Sequence, residues 1–211
     1  MRALRAVALV TALLLVVSAV PSKASATASG AESFVAEFGN KMIDLVRTNH
    51  GSPRELENNI RPLVLAAFDA PRISRYVLGR YWLGMSGVDR NAFTQAFENY
   101  IVHVYSERFS GHQAKRFAVT GAEPQGAATG AEPQGAAAVL VHSEITPSDG
   151  GAPIKLDWLT SEVAGQFKIV DVGVDGLSQV LTYREEFASV IENHGGNVFD
   201  LIAKLREKAK G

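Results

Sequence analysis

The sequence predicts a mixed fold in which helices are segregated along the chain from an antiparallel sheet of about four strands. Three observations carry that expectation. Apolar residues recur at helical spacing between Phe34 and Phe109, the period falls to two after Gly111, and helical spacing returns from Ser178 onward. With 211 residues, 46% of them hydrophobic and 20% charged, the chain can bury a real core in one domain or two tightly joined subdomains.

The fold is expected to begin after residue 26. Arg2 and Arg5 precede the apolar run Ala6–Val20, and Pro21 leads into Ala24-Ser25-Ala26. This is the pattern of a cleavable signal peptide cut after Ala26; an uncleaved N-terminal anchor is the alternative, although the run is short for a bilayer span. Loss of the three cations Arg2, Arg5 and Lys23 takes the formal net charge from −1 to −4. An exported, soluble and mildly acidic chain with basic residues gathered only at its C-terminal tail is a poor nucleic-acid binder. The chain has no cysteine, which excludes disulfides, thiol catalysis and a lipid anchor on a cysteine.

A first helix is expected from Ser33 as its cap, with Phe34, Phe38, Met42, Leu45 and Val46 on one side, to the stop at Asn49-His50-Gly51. Ser52-Pro53-Arg54-Glu55 opens a second: a capping residue, proline at the first position and acid in the first turn. Leu56 and Ile60 continue it until Pro62 breaks or kinks the pattern, leaving Leu63–Phe68 as a short further piece. Asp69 or Pro71 starts a short helix carrying Ile73, Tyr76, Val77 and Leu78, and Gly79 and Gly84 flank the aromatic turn Arg80-Tyr81-Trp82.

Ser86-Gly87-Val88-Asp89 then caps a long helix of roughly 35 Å. Phe93, Phe97, Tyr100, Ile101, Val104, Tyr105 and Phe109 form its apolar stripe; Gln95, Asn99, His103 and Ser106 form an opposite face expected to be solvated.

Four strands follow: Lys115–Val119, Ala138–Thr146, Ile154–Thr160 and Gln166–Val174. Val139, Val141 and Ile145 oppose His142 and Glu144, and Ile154, Leu156 and Trp158 oppose Lys155 and Asp157, so one face is buried. Thr120–Ala128, TGAEPQGAA, is repeated without change at Thr129–Ala137. Two copies cannot make a solenoid, and residues 120–137 read as a duplicated flexible hairpin loop. Ser178 or Thr182 starts a helix burying Val180, Tyr183, Phe187, Val190 and Ile191, stopped at Gly195-Gly196. Asn197 caps the last, which buries Val198, Leu201, Ile202 and Leu205 and ends in Lys204, Arg206, Lys208 and Lys210.

Catalytic chemistry is hard to place on this chain. His50, His103, His112, His142 and His194 are scattered without metal-ligand spacing, so no metal is expected. Asp175-Gly176-Leu177-Ser178-Gln179 lacks the second glycine of a nucleophile elbow, and Ser178 is better explained as a helix cap. Walker and dinucleotide fingerprints are missing, so no cofactor is expected. Asp157 is the one carboxylate among apolar neighbours, with Lys155 or Lys168 as its expected cross-strand partner.

Certain residues also carry a resemblance. Leu78-Gly79-Arg80-Tyr81-Trp82, Arg90, Phe93, Phe97, Tyr100 and Tyr105 resemble the G-x-Y-W…Q-R-x-x-F…F…Y pattern of the MlaC (toluene-tolerance) family. Phe167-Lys168-Ile169-Val170-Asp171-Val172, Gly176-Leu177-Ser178 and Tyr183-Arg184-Glu185-Glu186-Phe187 are similar to that family's second pattern. The run LTYREEFASVIENHGG is most similar to the hopanoid-associated HpnM branch. Phe167 stands where a Trp is usual, Asp89-Arg90 where Q-R is common, and the repeat is an insertion.

The resemblance implies an α+β fold with helices packed on a curved antiparallel sheet and an apolar lipid cavity between them. It also implies a periplasmic, non-enzymatic carrier of phospholipid or hopanoid that works between an inner-membrane ABC transporter complex and an outer-membrane lipoprotein or porin complex. The expected lining is Leu78, Tyr81, Trp82, Phe93, Phe97, Tyr100, Ile101 and Tyr105 from the helical half, facing Val139, Val141, Leu156, Trp158 and Val172 of the sheet. On that expectation Phe97→Asp or Trp158→Asp loses lipid while the protein stays folded. The competing expectations are a pocket enzyme, which would need a His or carboxylate turned inward, and a non-catalytic assembly factor for a membrane lipid complex.

Overall fold

Helix α1 (Lys23–Thr48) lies across one face of an antiparallel meander, and five more helices and a short turn of helix build a second body beside it. The computed structural model describes residues 23–49, 51–109, 114–125 and 138–210. Most of the expected signal peptide, His50, His112 and residues 126–137 of the repeat lie outside the described residues. The sheet runs β1 (Ala114–Gln125), β2 (Ala138–Pro147), β3 (Ile154–Val163), β4 (Gln166–Val174) and β5 (Leu177–Ser178), each paired with its neighbour in sequence. That is the expected α+β arrangement, with one very short strand added.

Several element ends differ from expectation, each for a local reason. α1 is already helical at Lys23, so Ser33 is interior; its hydroxyl donates to the Ser29 carbonyl at 3.0 Å instead of capping. α2 (Pro53–Ala67) starts at the expected cap, where Ser52 Oγ accepts from the Glu55 amide, but runs straight through Pro62. Leu56, Ile60 and Ala67 are buried on one side of it, and this packing holds the helix past the missing donor. β1 extends through the first two-thirds of the first repeat copy, pairing Gly121 with His142 and Gln125 with Ala138. Thr120–Gln125 is therefore strand rather than loop.

The caps that depended on single residues are where the pattern placed them. Asp69 Oδ1 accepts from the Arg72 amide at the start of α3 (Ala70–Leu78), and Gly79, at φ 53°, closes it through bonds to the Arg75 and Tyr76 carbonyls. The turn α4 (Arg80–Leu83) follows, then α5 (Gly87–Phe109), with Ser86 Oγ accepting from the Asp89 amide. Ser178 caps α6 (Gln179–Asn193), and Asn197 caps α7 (Val198–Lys208).

α1 meets the sheet closely because two of its residues have no side chain. A Cβ on Gly39 would lie 2.3 Å from the Phe117 ring, and one on Gly30 would lie 2.8 Å from the Phe167 ring. Phe117 cannot easily yield, since its ring sits edge-on against Trp158 with centroids 6.1 Å apart. Gly39→Ala is therefore expected to lose about 1–3 kcal/mol of stability despite alanine's better helix propensity. Gly87→Ala, whose Cβ would meet nothing within 4 Å, should be neutral or stabilising. Urea denaturation of the two variants checks the pair.

Candidate functional site

The interior consists of three apolar clusters, a small one between α2 and α5 and two larger ones that meet at a seam. On the sheet side Ala31, Val35 and Phe38 of α1 pack against Phe117, Val139, Val141, Leu156, Trp158 and Ile169. Phe38 and Trp158 meet edge to face at 5.6 Å, and Trp158 Nε1 donates to Ser143 Oγ at 2.7 Å, satisfying the one polar atom of the indole. On the helical side α3, α5, α6 and α7 enclose Val77, Leu78, Phe93, Phe97, Phe187 and Ile191, among others. Phe97 is ringed by aromatics: Phe93, Tyr183 and Phe187 have centroids 5.5–5.9 Å away.

The expected lining is thus split between the two clusters. Leu78, Phe93 and Phe97 are buried in the helical one, with Tyr81, Trp82, Tyr100 and Ile101 half-buried against it. Val139, Val141, Leu156 and Trp158 are buried in the sheet cluster, with Val172 half-buried against it. The stripe of α5 does not face the strands, as the sequence reading had it: its rings meet Tyr183 and Phe187 of α6, and it also packs on α2, α3 and α7. The sheet is faced by α1 instead. Its signal was present in Phe34 and Phe38, but one amphipathic helix does not announce which partner it takes.

The face of α5 expected to be solvated is so at Gln95 and Asn99, which are exposed, but it is covered toward its C-terminal end. Val102 packs with Leu56 and Ile60, and Ser106 is fully buried with its hydroxyl donating to the His103 carbonyl at 2.7 Å. Arg61 of α2 donates to Asn99 Oδ1 at 2.6 Å, and His103 Nδ1 lies 3.2 Å from Glu57 Oε2 with only 16% of its side chain exposed. His103 is therefore an inter-helix strut rather than a surface histidine.

Phe68 joins the clusters. It packs against both, its ring is 5.8 Å from Phe38, and the backbone there pairs with β4: Phe68 bridges Ile169, and the Asp69 amide donates to the Ile169 carbonyl at 3.0 Å. Asp171 of β4 is the second link. Its carboxylate accepts from the Val172 amide (2.7 Å), the Val180 amide of α6 (3.0 Å) and Ser178 Oγ (2.5 Å). Near it stand Tyr105 of α5 and Tyr183 of α6, with the rings of Tyr100 and Tyr183 6.3 Å apart between centroids. Burial pushes the phenols of Tyr183, Tyr105 and Tyr100 above the usual value, so all three keep their protons at neutral pH.

Two grooves are lined by residues outside the expected lining. One of about 380 Å³ is lined by Glu32, Ser33 and Ala36 of α1 and by Val119, Thr120 and Gly121 of β1. Another of about 310 Å³ lies beside Lys41, Leu45 and Leu63. Both sit at the low end of ligand-site volumes. Phe97 and Trp158 are packed core residues at 5% and 7% exposure. An aspartate at either would unfold the protein, so these substitutions cannot separate binding from folding.

The sheet's other face carries a polar group. His142 Nδ1 is 2.6 Å from Asp157 Oδ1, its cross-strand partner, and Nε2 is 3.8 Å from Glu123 of β1. The partner of Asp157 is thus His142, not Lys155 or Lys168; Lys168 Nζ donates to the Ala66 carbonyl. His142 is thus placed between two carboxylates, those of Asp157 and Glu123. Among the described residues no group of His, Asp or Glu is placed to hold a metal ion, and no helix is long and apolar enough to cross a membrane.

Helices on an open five-stranded sheet, with an aromatic interior whose two larger clusters meet at Phe68, define an α+β protein. The chain belongs to the MlaC family: the model described as MlaC protein matches residues 33–207. Its fold is similar to that of a phospholipid-binding protein from Ralstonia solanacearum, solved in complex with a phospholipid. The TM-score is 0.67 at 18% identity, covering 85% of this chain and 97% of that one.

Proposed function

We propose that this protein binds a phospholipid by its acyl chains along the seam between the two clusters, and carries it between membranes without chemical change. The observation that supports this best is the division of the interior. Each cluster is closed on its own and Phe68 bridges them, so parting them costs less than opening a single continuous core. An inserted chain restores the lost apolar contact. Each CH₂ sheltered from water is worth about 0.8 kcal/mol, so a sixteen-carbon chain gains on the order of 12 kcal/mol from such a sleeve. Membership of the MlaC family and the phospholipid bound by the Ralstonia protein support the same reading.

The proposal extends to an exported, periplasmic protein that takes its cargo from an inner-membrane ABC transporter complex and delivers it to an outer-membrane lipoprotein or porin complex. Hopanoid is the alternative cargo, because the LTYREEFASVIENHGG run resembles the HpnM branch. The second reading, a non-catalytic assembly factor, draws on the exposed apolar side chains Leu83 (76%), Val88 (78%) and Phe199 (59%), which suit a protein partner.

Mass spectrometry of lipid extracted from the protein purified from its native host tests the carrier reading. Stoichiometric phospholipid or hopanoid is the expected result. Ile101→Glu, at a half-buried position on the helical cluster, should lose bound lipid several-fold while keeping its circular dichroism spectrum. Protein that is lipid-free and takes up no phospholipid from vesicles would favour the assembly factor instead.

A further inference from the structure

The proposed carrier reading leaves the lipid's polar end unassigned, and one cluster beside the seam has the chemistry to hold it. We propose that Tyr100, Tyr105 and Tyr183, together with Arg108 and Lys208, bind the phosphodiester of a glycerophospholipid whose chains enter the seam.

The five side chains come from three helices. Tyr100 and Tyr105 on α5 approach Tyr183 on α6, and the Tyr100 and Tyr183 rings are 6.3 Å apart at 80°. The Arg108 guanidinium sits 5.7 Å from the Tyr105 ring centre, and Lys208 Nζ, from the end of α7, is 6.0 Å from that of Tyr100. Among the described residues neither cation is engaged in a salt bridge. Each is turned to an aromatic face, which leaves its N–H groups able to donate.

The acids nearby set the charge the site can take. Asp171 is occupied by its three donors. Glu186 faces Tyr100 from α6; it opposes a dianion but tolerates a phosphodiester with a single charge, and more so one bearing an ammonium, as in phosphatidylethanolamine. Phenol hydroxyls beside a guanidinium are a suitable set for phosphate oxygens, donating directed hydrogen bonds from a partly dry surface. The bland account is that Arg108 and Lys208 merely complement the C-terminal ends of their helices. That account predicts no selectivity for phosphate.

The test compares phosphatidylethanolamine with diacylglycerol of the same chains, both delivered from vesicles to the purified protein and measured as retained lipid by mass spectrometry. The native protein should prefer the phospholipid at least about tenfold, as charge-assisted hydrogen bonds to one phosphate imply. The double variant Arg108→Gln, Lys208→Gln should bring phosphatidylethanolamine down to the diacylglycerol level. Tyr183→Phe, which keeps the ring and removes the hydroxyl, should lower the preference several-fold. Lys204→Gln with Arg206→Gln, which removes the same amount of charge elsewhere on α7, should keep it. Equal retention of the two lipids by the native protein, or an undiminished preference in the double variant, overturns the headgroup site and leaves the carrier reading standing. Retention of neither lipid overturns both.

Discussion

Phe97→Ala is expected to lower the melting temperature by about 10 °C. Truncating a buried phenylalanine costs about 3–5 kcal/mol through lost transfer energy and the cavity left behind. In a protein of this size each kcal/mol shifts the transition by about 2–4 °C. The site cannot collapse easily, because Phe97 is held by three other rings, two of them on α6. Thermal unfolding followed by circular dichroism measures the effect. A shift of only a degree or two would mean that the helical cluster is loosely packed, contrary to its geometry. Tyr81→Ala, half-buried and outside the ring cluster, serves as the comparison and should cost far less.

Asp171→Ala is the second large effect. One carboxylate satisfies two backbone amides and a hydroxyl across the β4–α6 connection. Hydrogen bonds to a charged acceptor contribute about 1.5–3 kcal/mol each when counted singly, and stranding partly buried donors adds to the loss. Because the three share one carboxylate they are not additive, and a total of about 3–4 kcal/mol is expected. Asp171→Asn separates geometry from charge. Its retained oxygen can still accept both amides, and its nitrogen can donate to Ser178 Oγ, so it should recover more than half of the loss. Urea midpoints for the three proteins decide this. An asparagine variant as unstable as the alanine one would show that the charge, not the hydrogen-bond pattern, holds the connection.

Much of the fold was legible because it depends on residues whose physics is local. Ser52, Asp69, Ser86, Ser178 and Asn197 each cap the helix they precede, and each could be recognised from a few neighbours. The alternation of Val139, Val141, Leu156 and Trp158 fixed the buried face of the strands in the same way. What sequence reasoning missed depends on partners distant in the chain. Pro62 is a helix breaker by propensity, but burial of its neighbours overrides it. The polar face of α5 reads as solvated throughout, and Gln95 and Asn99 are exposed, but His103 and Ser106 near its end are covered by α2, a partner that their polarity does not announce. The same limitation divided the candidate site. Periodicity identified the inward side of α5 and of each strand, but not that α1 would cover the sheet while α6 and α7 covered α5. Gly30 and Gly39 were the residues that could have indicated it, since glycines in a helix invite close approach by a neighbour.

The pairing of Phe68 and Asp69 with Ile169 also bears on how the protein avoids sticking to itself. A meander has two free margins, and here they are guarded differently. β1 is interrupted by irregular register near Arg116 and Gly121 and carries Lys115, Arg116 and Glu123, features that discourage another chain from adding on. β4 is sheltered by β5 at one end and by the Phe68 segment at the other. Any opening of the seam that withdraws Phe68 uncovers unpaired backbone on an apolar strand. On the proposed carrier reading, loading and unloading are then the moments of greatest aggregation risk, and a chain arrested half-open should form oligomers through β4 before it unfolds.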